Sequence, residues 1–399
     1  MKKLFKVLIP IGVLILCYFL FEPIFLYNFG RTEMSNLNDV QPKTLHTELL
    51  NKQADKILKA EFTKLKTPSL SIAIGMNDSL IWANSIGYSD IKNSIFASQQ
   101  TKYRIGSISK TLTSIGLGVL LQTNVLKKNS KVKEFVPYVN EKLSNLTVEQ
   151  LASHTSGIRN YSTCLCLPIW EFYDNDKYSS IKESISIFNN DKLLFEPGSD
   201  FSYSTYNYNL LSAMMEGATK TNFLEFMQNK VFDPLGLLRT VPGGITESDD
   251  NTAKFYDIEN GKIKEAYKTS SSGKYAGGGF LSTPSDLVKF GNAVLNNKLI
   301  DTKTTETLFQ PVILNNGHVN EQNYSLGWRN DISTNVFIDN REVRIVHHGG
   351  TSMGSTAMLI LLPEYNVSLA VAMNRNGKST ELFDITYKIA DLFLKDEKP

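Results

Sequence analysis

The sequence predicts an α/β fold: a sheet assembled from both ends of the chain, with an all-helical domain inserted between them. Three observations carry this. Strand-like apolar runs lie early ("SLSIAIG", 69–75, and "LIWANSIG", 80–87) and return late ("VRIVHH", "TAMLILL" and "VSLAVAM"). Apolar residues at helical spacing fill the middle, densest after Ser107. Leu382, Ile385, Ile389 and Leu392 then step by three or four to make a closing helix.

Taken in order, Lys2, Lys3 and Lys6 precede an uncharged run from Val7 to Phe21. The apolar stretch is longer than a signal-peptide core of about 7–15 residues, and no small-residue cleavage site follows it. It is read as an uncleaved membrane anchor, with a secreted protein as the alternative. The lysines would stay on the cytoplasmic side and the rest of the chain outside. Cys17 follows bulky Leu16, which argues against lipidation. The polar stretch 30–43 reads as a linker, and 45–65 as an amphipathic helix. The runs 69–75 and 80–87 read as two strands joined by the turn "MNDS".

From Ser107 the pattern is that of a helix buried nearly all round: Ile108, Leu112, Ile115 and Val119 on one side, Leu117, Leu120 and Leu121 on the other. Helical patches between loops follow over 147–235. A cleft between sheet and helices is the natural place for a site. Forty-two Lys and Arg against 40 Asp and Glu give a net charge of +2, so nothing points to a nucleic-acid partner. Cys164 and Cys166 form a C-x-C, too tight for a relaxed disulfide and too few for zinc, and read as thiols. No histidines have metal-ligand spacing, so no metal and no cofactor is expected.

S-x-x-K occurs from Ser89, Ser107, Ser130, Ser179 and Ser271, but only Ser107 opens a buried helix. There Lys110 lies on the same face, about 5–6 Å away between β-carbons. A serine hydroxyl needs a base, and a desolvated lysine can be one. The helix start also offers the Ser107 backbone N–H to a developing oxyanion.

With seven ordered stretches the chain resembles the serine β-lactamase and penicillin-binding-protein superfamily, nearest its class C β-lactamase, DD-peptidase and esterase branch. They are "YRIGSISKTLT", "LTVEQLASHTSGI", "FEPGSDFSYSTYNYNLLS", "DPLGL", "AGGGFLSTPSDLVKFG", "YSLGW" and "VHHGGTSMG". The resemblance implies an antiparallel sheet flanked by helices, with a domain over 45–395 (45–100 and 240–395 sheet, 101–239 helical), behind an anchor or signal (1–29) and a linker (30–44). It makes Ser107 the acylated nucleophile, Lys110 its partner, and Tyr203 the proton shuttle of a Y-x-N motif. His348 begins H-x-G, on a strand lining the cleft, with Gly350 and Thr351 beside substrate and Thr351 N–H completing the oxyanion hole.

Two departures stand out. Thr205 replaces the Asn of Y-x-N, which normally holds a substrate amide; this form is similar to that of the mitochondrial β-lactamase-like serine proteases. His348 replaces the lysine of K-T-G, as in DD-peptidases and esterases. An unperturbed histidine titrates near pH 6.5, so a carboxylate held by His348 should be lost as pH rises. His347, next to it, should face the other side of the strand, and His154 reads as a turn or helix-end hydrogen-bonder. The resemblance implies an extracytoplasmic serine hydrolase, acting on D-Ala-D-Ala-type peptides or on esters, with β-lactam turnover secondary. The alternative is a non-catalytic penicillin-binding or sensor protein on the same fold. Gly350–Gly354 also spells G-x-S-x-G, but strands rather than a helix follow Ser352, and no histidine comes later.

Overall fold

Seven antiparallel strands build the central sheet: β1 (Ser69–Met76), β2 (Ser79–Asp90), β3 (Ile95–Phe96), β4 (Arg329–Ser333), β5 (Val343–Ser352), β6 (Ser355–Leu362) and β7 (Val367–Met373), in the order β4-β5-β6-β7-β1-β2-β3. The computed structural model describes residues 6, 8–18, 21, 33–36, 52–161, 171–244 and 251–397. The two ends of the chain meet where β1 pairs with β7. The β1–β2 turn is as short as the sequence implied: Asn77 and Asp78 both have positive φ, the hairpin geometry that Asn and Asp tolerate.

The strands look uninterruptedly apolar because both faces are buried. In β6, Ala357, Leu359 and Leu361 join the core shared with the helical region, while Met358, Ile360 and Leu362 join the opposite core. That second core is closed by α1 (Lys52–Leu65) and α5 (Phe383–Leu394). On the first face lie α2 (Ser109–Gln122), α3 (Thr205–Thr219) and α4 (Pro284–Leu295). The architecture is thus an antiparallel sheet flanked by helices. α2 is buried almost all round, as its composition required. It begins one turn late, because Gly106–Ile108 form a 3-10 turn ahead of it.

Part of the stretch read as a linker is a strand. Glu33–Asn36 pairs antiparallel with Lys262–Glu265, and Lys262 Nζ lies 3.0 Å from Glu33. An edge strand made by backbone bonds needs no apolar period, so its polar sequence gave no sign of it. In the region read as an anchor, residues 8–18 are helical and Leu8, Ile9, Leu14 and Ile15 are exposed. Among the described residues no helix is long and apolar enough to cross a membrane. Residues 1–5, 7, 19–20, 22–29 and 45–51, and Cys164 with Cys166, lie outside the described residues.

The nucleophile's turn is pressed against β5. A Cβ on Gly350 would stand 1.8 Å from Ile105 O and 3.2 Å from Ser107 N; one on Gly106, whose φ is +50°, would stand 2.7 Å from Thr351 N. Gly350 therefore exists to let the two backbones touch. Gly350→Ala should destabilise the protein by about 1–3 kcal/mol, the range for overpacking, and slow covalent labelling of Ser107. Urea unfolding and intact-mass kinetics measure the two effects.

Candidate active site

Ser107 and Lys110 meet as helical spacing required: Lys110 Nζ lies 3.2 Å from Ser107 Oγ. The lysine is fully buried, and its Nζ also donates to Gly277 O. Burial, and then the nearby positive charge of Arg329, hold its pKa well below the ordinary lysine range. A neutral amine has one lone pair, and with an N–H committed to Gly277 that lone pair is available to the Ser107 O–H.

Tyr203 closes over this pair, its ring centroid 4.8 Å from Lys110 Nζ. The first turn of α3 is stapled to residues 154–160. Ser202 N–H donates to His154 O at 2.9 Å, Ser204 Oγ to Arg159 O at 2.6 Å, and Thr205 N–H to Asn160 Oδ1 at 3.0 Å. The 154–160 segment is itself anchored by Arg159, which reaches Glu171 at 2.6 and 2.8 Å and Asp191 at 2.7 Å. The Tyr203 hydroxyl is buried and makes no hydrogen bond of proper geometry among the described residues. Burial pushes its pKa up to about 12, although neighbouring Ser107 and Arg329 oppose the rise.

His154 is more than a turn residue. It is fully buried, its ring lies 4.3 Å from that of Tyr203, and its Nδ1 accepts from Ser204 N–H at 3.3 Å. Burial, then Lys110 and Arg329, depress its pKa. It backs the tyrosine as a neutral ring.

His348 stands behind Tyr203 rather than at the cleft wall. Its Nδ1–H donates to Gly349 O at 2.6 Å, and its Nε2 accepts from the Tyr324 hydroxyl at 2.9 Å. Burial, then Arg329 and Lys110, hold its pKa well below the usual histidine range. The expected loss of a carboxylate contact through titration near pH 6.5 is therefore corrected: the ring is already neutral there and is occupied by Tyr324. His347 does face the other side of β5, 2.8 Å from Asp331.

The cleft has a volume of about 230 Å³. Ser107, Tyr203, Thr205 and Thr351 line it, as the sequence placed them, whereas Gly350 and His348 do not. Sequence reading missed others that do, among them Asn160, Phe172 and Lys274. With Asn160 Oδ1 held by Thr205, its amide nitrogen has no partner among the described residues and can donate. A side-chain amide, absent from position 205, is thus present in the cleft on a neighbouring segment. Arg329 was also missed; it follows "YSLGW" directly, and an unexplained arginine after a quoted motif was the available signal.

The Beta-lactamase family model matches residues 54–392, and the chain belongs to that family. It is 27% identical to the serine beta-lactamase-like protein LACTB, mitochondrial, of Mus musculus, over 86% of this chain and 79% of the relative. It superimposes on the D-amino acid amidase from Ochrobactrum anthropi SV3 with a TM-score of 0.73 at 19% identity, covering 86% of this chain and 99% of that one. An octameric penicillin-binding protein homologue from Pyrococcus abyssi gives 0.71 at 22% identity, covering 86% and 77%. The fold is shared with both solved structures.

Two predictions follow from the charges around Lys110. Arg329 lowers the pKa values of both Lys110 and Tyr203. Arg329→Met should therefore move the rising limb of the Ser107 labelling rate to higher pH, because Lys110 would then hold its proton longer. The rate measured across pH 5 to 10 checks this. Lys110→Met should abolish labelling yet raise the melting temperature at pH 7. An unfolded lysine binds a proton that the folded one refuses, so the native state is penalised below about pH 10.4 and relieved above it. The gain in melting temperature should shrink as pH approaches 10.

Proposed function

We propose that this member of the Beta-lactamase family is an extracytoplasmic serine hydrolase that acts through an acyl-enzyme on small peptide or ester substrates. The observation that carries the reading is Lys110, fully buried with no carboxylate partner among the described residues and 3.2 Å from Ser107 Oγ. A buried lysine without a counter-ion is unfavourable for stability, and an activated nucleophile gives it a purpose.

The roles follow from the direction of each pKa shift. Lys110, depressed, takes the Ser107 proton as Oγ attacks the carbonyl. Tyr203, raised to about 12, rests as a neutral phenol and gives its proton to the leaving group, regaining one from Lys110. The backbone N–H groups of Ser107 and Thr351, which Gly106 and Gly350 allow to approach, hold the oxyanion. Water then releases the acyl group by the reverse route. His348 acts through Tyr324 and Tyr203 as a positioning residue. D-Ala-D-Ala-type peptides rank first and small esters second, with β-lactam turnover secondary because Thr205 stands where an amide side chain usually does. An amidase among the proteins that share the fold agrees with acyl transfer. The apolar run Val7–Phe21 after three lysines supports a membrane-anchored, extracytoplasmic location.

Wild-type protein should gain one adduct from a fluorophosphonate probe, by intact mass, and Ser107→Ala none. Tyr203→Phe should acylate about 10²–10⁴-fold more slowly, the range for a general acid–base group. An unlabelled wild type would leave a non-catalytic binding protein as the better reading.

A further inference from the structure

Lys274 is the one charged side chain among the described residues lining the cleft. It belongs to "SSSGKYAGGG", where its S-x-x-K spacing to Ser271 carries no nucleophile. Its backbone carbonyl accepts from Gly277 N–H at 3.2 Å and Gly278 N–H at 2.9 Å. This places it one turn ahead of the Gly277 carbonyl that holds Lys110. The side chain turns to the cleft: Nζ lies 6.0 Å from the ring centroid of Tyr161, which also lines it.

The ammonium has no ion pair or hydrogen bond among the described residues. The one nearby anion, Asp174, is already engaged, accepting from the Tyr178 hydroxyl at 2.7 Å and from Asp176 N–H at 2.8 Å. Arg104, the other neighbouring cation, donates to Met353 O at 3.0 Å on the cleft's far rim. Burial and Arg104 bring the Lys274 pKa down to about 8, so it still carries its charge at neutral pH. A partly buried cation with no ion pair among the described residues, in a groove whose described lining holds no acid, is an arrangement that a bound anion would complete. Phe172, Tyr161 and Met353 give the cleft apolar and aromatic wall, and Asn160, Thr205, Thr351 and Ser352 add neutral polar groups.

We propose that Lys274 is a specificity-determining residue that ion-pairs with a carboxylate of the bound substrate. This deepens the hydrolase reading and rests on it. The carboxylate could be the C-terminus of the leaving residue or an acidic group on the acyl side. The chemistry is the same, and the test separates the two.

Binding is measured by calorimetry on Ser107→Ala protein, so that turnover plays no part. One ligand pair is N-acetyl-D-alanyl-D-alanine and its C-terminal carboxamide; the other is succinyl- and butyryl-D-alanine amide. In at least one pair the carboxylate member should bind about 10- to 100-fold more tightly, as for a charged hydrogen bond. That margin should vanish in Lys274→Met and persist in Lys274→Arg, which keeps the charge and controls for folding. The pair that shows the margin identifies the side of the scissile bond. Equal binding within both pairs, or a margin that survives Lys274→Met, overturns the proposal. Fluorophosphonate labelling of wild-type Ser107, scored separately, decides the hydrolase reading.

Discussion

The site depends on keeping one amine uncharged beside one hydroxyl. Lys110 is buried on α2 with a carbonyl, a hydroxyl and two tyrosine rings around it, and no carboxylate partner among the described residues. An ion pair there would restore the charge and destroy the base, so the surroundings exclude acids and admit Arg329. The same requirement explains the neutral histidines. His154 and His348 border the same buried volume, and a second or third cation in it would compound the repulsion that already acts on Lys110. The neutral rings, the phenol of Tyr203 and the amine are parts of one electrostatic arrangement.

That arrangement needs rigid supports, and the fold supplies them in pairs. The 3-10 turn Gly106–Ile108 presents Ser107 and runs straight into α2, which presents Lys110, so their separation is set by local backbone geometry. β5 brings the Thr351 N–H against the nucleophile's turn through glycine contacts that tolerate no Cβ. α3 presents Tyr203 from the residue before its N-cap, a flank that would fray if the 154–160 segment did not hold it by backbone and side-chain bonds. Each catalytic group is therefore fixed by an element whose own core is large, and none sits on an isolated loop.

What the sequence made legible follows from this. Ser107 and Lys110 were readable because a helix puts positions three apart on one face, and the apolar run after them marked that helix as buried. The alternation of β5 placed His347 and His348 on opposite faces correctly. The state of His348 was not readable, because Tyr324, which occupies its Nε2, comes from a loop twenty-four residues earlier with no periodic relation to it. Asn160, Arg329 and Lys274 were hidden for the same reason: each reaches the site from a separate segment, and only the packing of α3 against α2 and the glycine-rich 270–279 stretch brings them together. The strand at Glu33–Asn36 was hidden differently, since an edge held by backbone bonds leaves no apolar pattern to read.

The division between readable and hidden residues is also a division of labour. The groups that move protons lie on or directly beside helices, Ser107 and Lys110 at the start of α2 and Tyr203 just ahead of α3. The groups placed to recognise a substrate, Asn160 and Lys274, lie on connecting segments that converge through tertiary packing. A change of substrate can then be made on those segments without disturbing the neutral amine, which is how one fold carries different specificities. Thr205 illustrates it: the usual amide is gone from the helix, and Asn160, held by the Thr205 N–H, offers one from the adjoining segment instead. The donor is moved relative to Ser107, so the substrate amide it accepts must be placed differently. A ring-constrained amide has one fixed placement, whereas a flexible peptide or ester can turn to meet the new donor. The departure at 205 thus weighs toward open-chain substrates by geometry, independently of any loss of hydrogen bonding.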